Sequence, residues 1–536
     1  MKLKMISLAL IVAACAEAEG PVITEPSKIE WDHLTASEFR VYLGNTPGVV
    51  PNSSPHAVVN TKEWPIDVGP GQWYFIVTAY DSATSQESAK SAEMPFVIPA
   101  AQPDPPDPPT NIRLAPVASD PDPNPPAPEC DFYVRNGGNN ANDGTSDAQA
   151  WATLTFASSQ LSNGDTLCLR RGDTWTGAGA GTAPLLLFDG IDNVTVTAYG
   201  SGALPLLDRS AESGNGSSLN PDRTCVRFDV ADNNVVEYIE CIAAANTAAV
   251  LFYEGTGNAI RYSNISGEGW AESLIVGHEP NVVGPGNFVD AITGNSSGYG
   301  GFVEFRYENG PLITGNVFRG YGSNGGVRCS NFAACTIENN FIYEPDPRNG
   351  PWCWAIVVRQ QDDGVSILRN NVISLVGSGG SCTGSDLEGM AFWGDEGNAT
   401  RKIINNTFVG DGDGVAILGS SSVAVVADNI FYDVAQGWEI NDSGQEWSHT
   451  LTNNCFFSVP THYEDGVPNE SGTFTSNPNL SNPLMSNDVA ADAKPVSPSP
   501  AINGASGQDQ HTPTMDIAGA VRPGGSSNDV GAFEVN

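Results

Sequence analysis

Basic residues are scarce in this chain. Its 536 residues include 24 Lys and Arg against 62 Asp and Glu, a formal charge of −38. A surface of that sign repels the phosphates of nucleic acid and the headgroups of anionic lipids, so neither is an expected partner. It suits solubility in a salty, marine-like medium. Lysine is nearly missing beyond residue 129, where only Lys402 and Lys494 occur. Only six His are present and no CxxC occurs, which argues against a Cys/His zinc site. Charged residues make up just 16%, while Gly (58) and Pro (38) are plentiful. That is the composition of a folded, loop-rich chain.

Against these absences stands one repeated phrase. YSNIS, ITGNSS, ITGNVF, IENNFI, LRNNVI, INNTF, ADNIF and TNNCF place Asn at 264, 295, 316, 340, 371, 406, 429 and 454. A period of about 21 to 35 residues, with apolar residues around a fixed Asn, predicts a stacked β-solenoid in which neighbouring coils share one core. An Asn amide can bond the amides above and below it and tolerates the left-handed backbone of a tight turn. These eight Asn are expected along one edge.

The N-terminus reads as a targeting segment. Lys2 and Lys4 precede an apolar run too short to span a bilayer, followed by Val12-Ala13-Ala14-Cys15. It resembles a bacterial lipoprotein signal, residues 1–14. That resemblance implies lipidation of Cys15, contact with the membrane only through this anchor, and an outer-membrane or cell-surface location. An ordinary secretory signal, giving a secreted or periplasmic protein, is the alternative. Export permits disulfides. The positions of the nine later cysteines suggest Cys353–Cys382 and Cys329–Cys335 as bridges, with Cys455 as the unpaired thiol.

Residues 20–100 show short strands separated by turn-formers, KIEW, FRVYLGN, WPIDV and WYFIVTAYD. Trp31 and the last of these segments resemble a fibronectin type III domain, although Trp73 stands where that family usually has Tyr. Eleven prolines in residues 101–128 make a semi-stiff linker. At about 3.1 Å per residue it would reach roughly 80 Å. The opening of the last segment, DFYVRNGGNNANDGTSDAQAWATL, and its end, SPAINGAS with MDIAGAVRPGGSSNDVGAFE, resemble right-handed parallel β-helix proteins of the pectate-lyase superfamily. The expected fold is therefore all-β: a small β-sandwich, then a right-handed parallel β-helix over residues 129–536, acting as a monomer.

In the family it resembles, the Asn turn separates the second and third strands of a coil, and substrates bind the first sheet. The first-sheet strands would be LFYE (251–254), SLIVGHE (273–279), FVEFRYE (302–308), VRCS (327–330), IVVRQQDD (356–363), AFWGDE (391–396) and VAILG (415–419). Period-2 alternation then turns Glu304 and Arg306, Arg328 and Ser330, and Arg359 and Gln361 to solvent. Glu304, Arg328 and Arg359 would form one polar column. His278 or Glu279 would extend it on one side, and Asp395 or Glu396 on the other. The insertions 343–355 and 375–390 would stand as walls, with Trp352, Trp354 and Trp393 stacking on sugar rings. The competing account makes these tryptophans core caps and the Arg–Glu neighbours cross-strand ion pairs.

Guanidinium groups in so acidic a protein point to an anionic polysaccharide, uronate-containing or sulfated. For β-elimination, Arg306, Arg328 and Arg359 would neutralise the uronate carboxylate, and His278, Tyr307 or an arginine would act as base. Glu304, Glu308, Asp362 and Asp363 could hold Ca²⁺, with Glu308 and Asp363 the preferred ligands. For glycoside hydrolysis, Glu279, Glu304, Asp362 and Asp395 supply carboxylates. Compared with the family, the chain has no Lys on these strands for a Lys-based lyase and no paired Asp with Gly-His-Gly as in polygalacturonases. GDGDG at 410–414 reads as a plain turn rather than a cation loop. A lyase is slightly preferred over a hydrolase, and a non-catalytic glycan-binding or adhesive solenoid remains open.

Overall fold

The computed structural model describes residues 2–6, 28–32, 38–98 and 129–535 apart from short internal stretches, of which 213–222 and 377–386 are the longest. The chain divides into two compact units, Met1–Asn111 and Ile112–Asn536. Cys15 and the Pro-rich segment 101–128 lie outside the described residues.

The first unit is built from antiparallel strands. Gly71–Asp81 pairs with Glu38–Gly44 and with Met94–Ile98. Phe75, Ile76 and Val77 are all fully buried, so this strand is covered on both faces rather than one. Lys28–Asp32, which carries Trp31, pairs with Glu63–Pro65 and with Lys2–Ile6.

The second unit is a right-handed parallel β-helix. Three parallel sheets of 11, 13 and 11 strands run its length, and each inner coil contributes one strand to each. The first sheet runs from Leu186–Asp189 to Thr461–Glu464, the second from Phe132–Val134 to Asn469–Ser471, and the third from Thr174–Thr176 to Cys455–Phe457. Parallel in-register stacking puts like residues above one another. Phe188, Phe228 and Phe252 stack at 4.8 Å between ring centroids, as do Phe408 and Phe431. Each fully buried ring contributes roughly 1.5–3 kcal/mol, and none can be buried without the coil beside it.

The Asn edge lies between the second and third sheets, as expected, but with two substitutions. Asn287, Asn316, Asn340, Asn371, Asn406, Asn429 and Asn454 form one ladder, each at most 1% exposed. Asn316 shows the pattern. Its backbone N–H and its Nδ2 both donate to Asn340 Oδ1, and Nδ2 also donates to the Val283 carbonyl. Asn264 is not in this ladder: Ser263 occupies the place and donates its N–H to Asn287 Oδ1. Asn295 lies outside the described residues, and Asn287 serves that coil instead. A second ladder, Asn234, Asn258 and Asn281, runs along the turns from the first sheet to the second.

The first coil and one side are closed. The helix Leu154–Ser158 and Trp151, stacked on Phe132, cover the first coil. The C-terminal segment packs Leu480, Ala501, Val530 and Phe533 against Val317, Phe341, Val372, Val409 and Ile430 of the third sheet. Arg522, with its charge paired to Glu534 at 3.1 Å, helps anchor that segment. The later coils of the third sheet are thereby covered. Disulfides join Cys130 to Cys168 and Cys225 to Cys241. Cys353 is disulfide-bonded, while Cys382 lies outside the described residues. The expected Cys329–Cys335 bridge is not formed. Both thiols are buried and free, joined by a hydrogen bond, and burial raises the Cys329 thiol well above its ordinary range. Cys455 is free and buried, as expected.

Candidate active site

All seven strands expected on the first sheet are there, in register with one another. Alternation correctly gives their faces, but the columns differ from the expected ones. Glu304 stands beside Val276 and Arg328, and Arg328 stands beside Val357. Arg359 belongs to the neighbouring column with Arg306, Ser330 and Trp393. The physical reason is general: a shift of two residues along a strand keeps every side chain on its face, so the pattern cannot fix register.

Glu304 is also not exposed. It is fully buried, because Arg306 grips it with Nε–Oε1 at 2.7 Å and Nη2–Oε2 at 3.1 Å. Arg328 adds a third contact at 3.5 Å to Oε1 and donates Nε to Ser330 Oγ at 2.6 Å. Two guanidinium groups thus converge on one carboxylate. The arrangement is the cross-strand ion-pair cluster of the competing account, and Glu304 compensates part of the charge that an anionic sugar would need.

Two coils earlier, at the exit end of the strands, the column continues through Tyr253 and His278. Their backbone N–H groups donate to Phe228 and Phe252 of the preceding coils, and their rings lie 5.9 Å apart. They open into a cleft of about 390 Å³ lined also by Asp232, Glu254 and Glu279. Arg227 covers the Tyr253 ring at 5.2 Å and pairs with Asp229 at 2.5 Å. His278 and Glu279 are therefore brought together with Tyr253, and Arg306 follows His278 in the next coil.

At the entry end of later strands is a group the sequence pattern concealed. Trp354, Glu388, Asp413 and Gln436 occupy one register column on four successive coils. Gly389, Gly414 and Gly437 follow the last three. A Cβ on these glycines would meet Phe408, Phe431 and Phe456 of the core at 2.7, 2.6 and 2.3 Å, so they face inward and the preceding side chains face outward. Glu388 is 6% exposed and Asp413 only 1%. Stacked coils lie about 4.8 Å apart, so two buried carboxylates sit one strand spacing from each other. Trp354 is 5% exposed and packs against Val357 and Ala391. It is a wall beside the pair, not the open stacking platform expected. GDGDG, expected to be only a turn, ends one third-sheet strand at Gly410 and begins a first-sheet strand at Asp413.

Tyr307, Glu308, Trp352, Gln361, Asp362, Asp363, Asp395 and Glu396 lie outside the described residues. Trp393 is placed only by its strand, in register with Arg359. Among the described residues no group of three or more His, Cys, Asp or Glu could hold a metal ion.

No family model matches this chain, and no curated protein does. Solved structures similar to it include the following three. One is the GH136 lacto-N-biosidase from Eubacterium ramulus, 13% identical over 64% of this chain and 67% of that one, with a TM-score of 0.35. Another is the family 28 exopolygalacturonase of Yersinia enterocolitica, 9% identical over 89% and 96%, with a TM-score of 0.34. The third is XylC in complex with xylose, 9% identical over 76% and 98%, with a TM-score of 0.40.

Proposed function

We propose that this protein is a carbohydrate-active enzyme that cleaves a polysaccharide laid across the outer face of the first sheet, and that it does so as a glycoside hydrolase. The observation that carries this is the outward-facing, buried Glu388–Asp413 pair. Hydrolysis of a glycosidic bond needs one protonated and one ionised carboxyl group. Two carboxyl groups at one strand spacing, if their environments push their affinities for a proton apart, would divide the two roles between them. A single strand spacing is nearer the short carboxyl separation of retaining enzymes than the wider gap of inverting ones. Export, with lipidation at Cys15 and the first unit as a spacer, would place this activity outside the cytoplasm.

A second reading is β-elimination on a uronate. It is favoured by Tyr253 and His278 side by side in an open cleft, with Arg306 one coil further on. There His278 would take the C5 proton, Tyr253 would protonate the leaving oxygen, and Arg306 would face the carboxylate.

Digestion of neutral and uronate-containing polysaccharides separates the two. New reducing ends without ultraviolet-absorbing unsaturated product support hydrolysis, and the unsaturated product supports the lyase. Binding with neither product would leave a glycan-binding solenoid.

A further inference from the structure

A cavity of about 650 Å³ lies at the entry edge of the last coils. We infer that it is a subsite for an uncharged sugar unit of the substrate; this rests on the hydrolase proposed above and defines which sugars that site accepts. Its position ties it to the carboxylate pair. Asp411, Asp433 and Ser458 line it from the turns that lead into the first sheet. They stand two or three residues before Asp413, Gln436 and Thr461, which share one register column. A sugar lodged there sits at the start of the strand that carries Asp413.

The lining has the chemistry of a pyranose site. Such sites pair an apolar surface with a few fixed polar groups. Phe457, half-buried, and Pro460 supply the apolar side, suited to the C–H face of a sugar ring. The polar side is acceptor-rich. Asp411 and Asp433 are exposed carboxylates, and Ser458 Oγ orients Asp433 by donating to Oδ1 at 3.0 Å. Carboxylates accept sugar hydroxyls in short charge-assisted bonds. His462 also lines the cavity, with its ring stacked on Phe456 at 4.9 Å. Among the described residues no Lys or Arg lines it. A uronate or sulfate would meet the like charge of Asp411 and Asp433, and that juxtaposition disfavours the wrong ligand. The anionic character expected from the arginines therefore does not extend to this end of the groove.

The test uses the full chain carrying Glu388→Gln, titrated calorimetrically with neutral xylo-, manno- and galacto-oligosaccharides and with oligogalacturonates. At least one neutral series should bind more tightly than the uronates. Adding Asp433→Ala should weaken that binding about tenfold, the size of one lost charge-assisted hydrogen bond, and Phe457→Ala should weaken it similarly. Asp433→Lys, an exposed change at a left-handed backbone position (φ 56°) for which a thermal melt is the folding control, should narrow or reverse the preference over uronate. Tighter uronate binding by the protein with Asp433 intact, or neutral binding indifferent to both Asp433 variants, overturns the subsite. Failure of the hydrolase proposal looks different. It would appear as persistent turnover in Glu388→Gln, and the binding data would still decide the subsite.

Discussion

Glu388 and Asp413 face each other across one parallel strand pair, both directed away from the core and both nearly inaccessible to water. Buried acids directed away from a core are candidates for chemistry. Glu388→Gln and Asp413→Asn keep shape and remove charge. Each should lower kcat by about 10²–10⁴-fold, the usual contribution of a positioned acid or base. A thermal melt of each variant is the control, since the kinetic loss should appear in folded protein. Full activity in both amide variants would remove this pair from the mechanism. A product that retains its anomeric configuration in an NMR time course would support the short carboxyl spacing.

The Asn ladder makes a prediction about stability that depends on register. Asn371 accepts from the Asn340 backbone N–H and Nδ2, and its own Nδ2 donates to the Ile337 carbonyl. Asn371→Ala strips buried polar groups of these bonds and should cost about 2–4 kcal/mol. Asn264 sits one residue outside the ladder, half-buried, so Asn264→Ala should cost within about 0.5 kcal/mol. Thermal melts of the two variants should therefore diverge clearly. Equal losses would mean that Asn264, not Ser263, holds the ladder position.

Much of the architecture was legible because solenoid repeats are written in the residues that cannot change place. The six Asn from 316 to 454 were found at sight, since each sits in the same apolar phrase. Ser263 escaped because a hydroxyl can stand in for the amide, and Asn234, Asn258 and Asn281 escaped because they recur in only three coils. The first-sheet strands were legible through alternation, yet Arg359 was assigned to the wrong column because alternation is blind to a two-residue shift. Glu388 and Asp413 were missed for another reason. Each precedes an inward glycine that places two successive residues against the core, which breaks the period-2 count, and glycine beside aspartate looks like a turn.

The cluster around Glu304 separates structural from catalytic roles. Glu304→Ala leaves the Arg306 guanidinium partly buried without its carboxylate and should cost about 3–5 kcal/mol. Arg328→Ala removes the longer contact to Glu304 and the hydrogen bond to Ser330, and should cost about 1–2 kcal/mol. If hydrolysis runs on the carboxylate pair, Arg328→Ala should keep kcat/KM within about threefold of wild type. A loss of tenfold or more at unchanged melting temperature would instead show that this cation meets substrate and would count against the carboxylate pair acting alone.

His449 offers a pH test of the core. It is 1% exposed, and its Nδ1 accepts from the Ala424 N–H at 3.1 Å. The amides of Asn258 and Asn281 play the same part at this edge in earlier coils. Burial first, and then the charge of Arg401, pull its pKa down from 6.5 to about 4. The folded protein therefore keeps His449 neutral where the unfolded chain already binds a proton. Stability from this residue is fully present above pH 6.5 and is lost as pH falls towards 4, on the order of 3 kcal/mol in all. Below that range both states are protonated and the slope from this residue disappears. His449→Asn preserves an acceptor for Ala424 without a titrating group. Its unfolding free energy should match wild type near neutral pH and exceed it increasingly as the buffer is acidified. Superimposable acid-unfolding curves for the two proteins would show that His449 takes up its proton in the folded state, and that the edge around Arg401 admits charge.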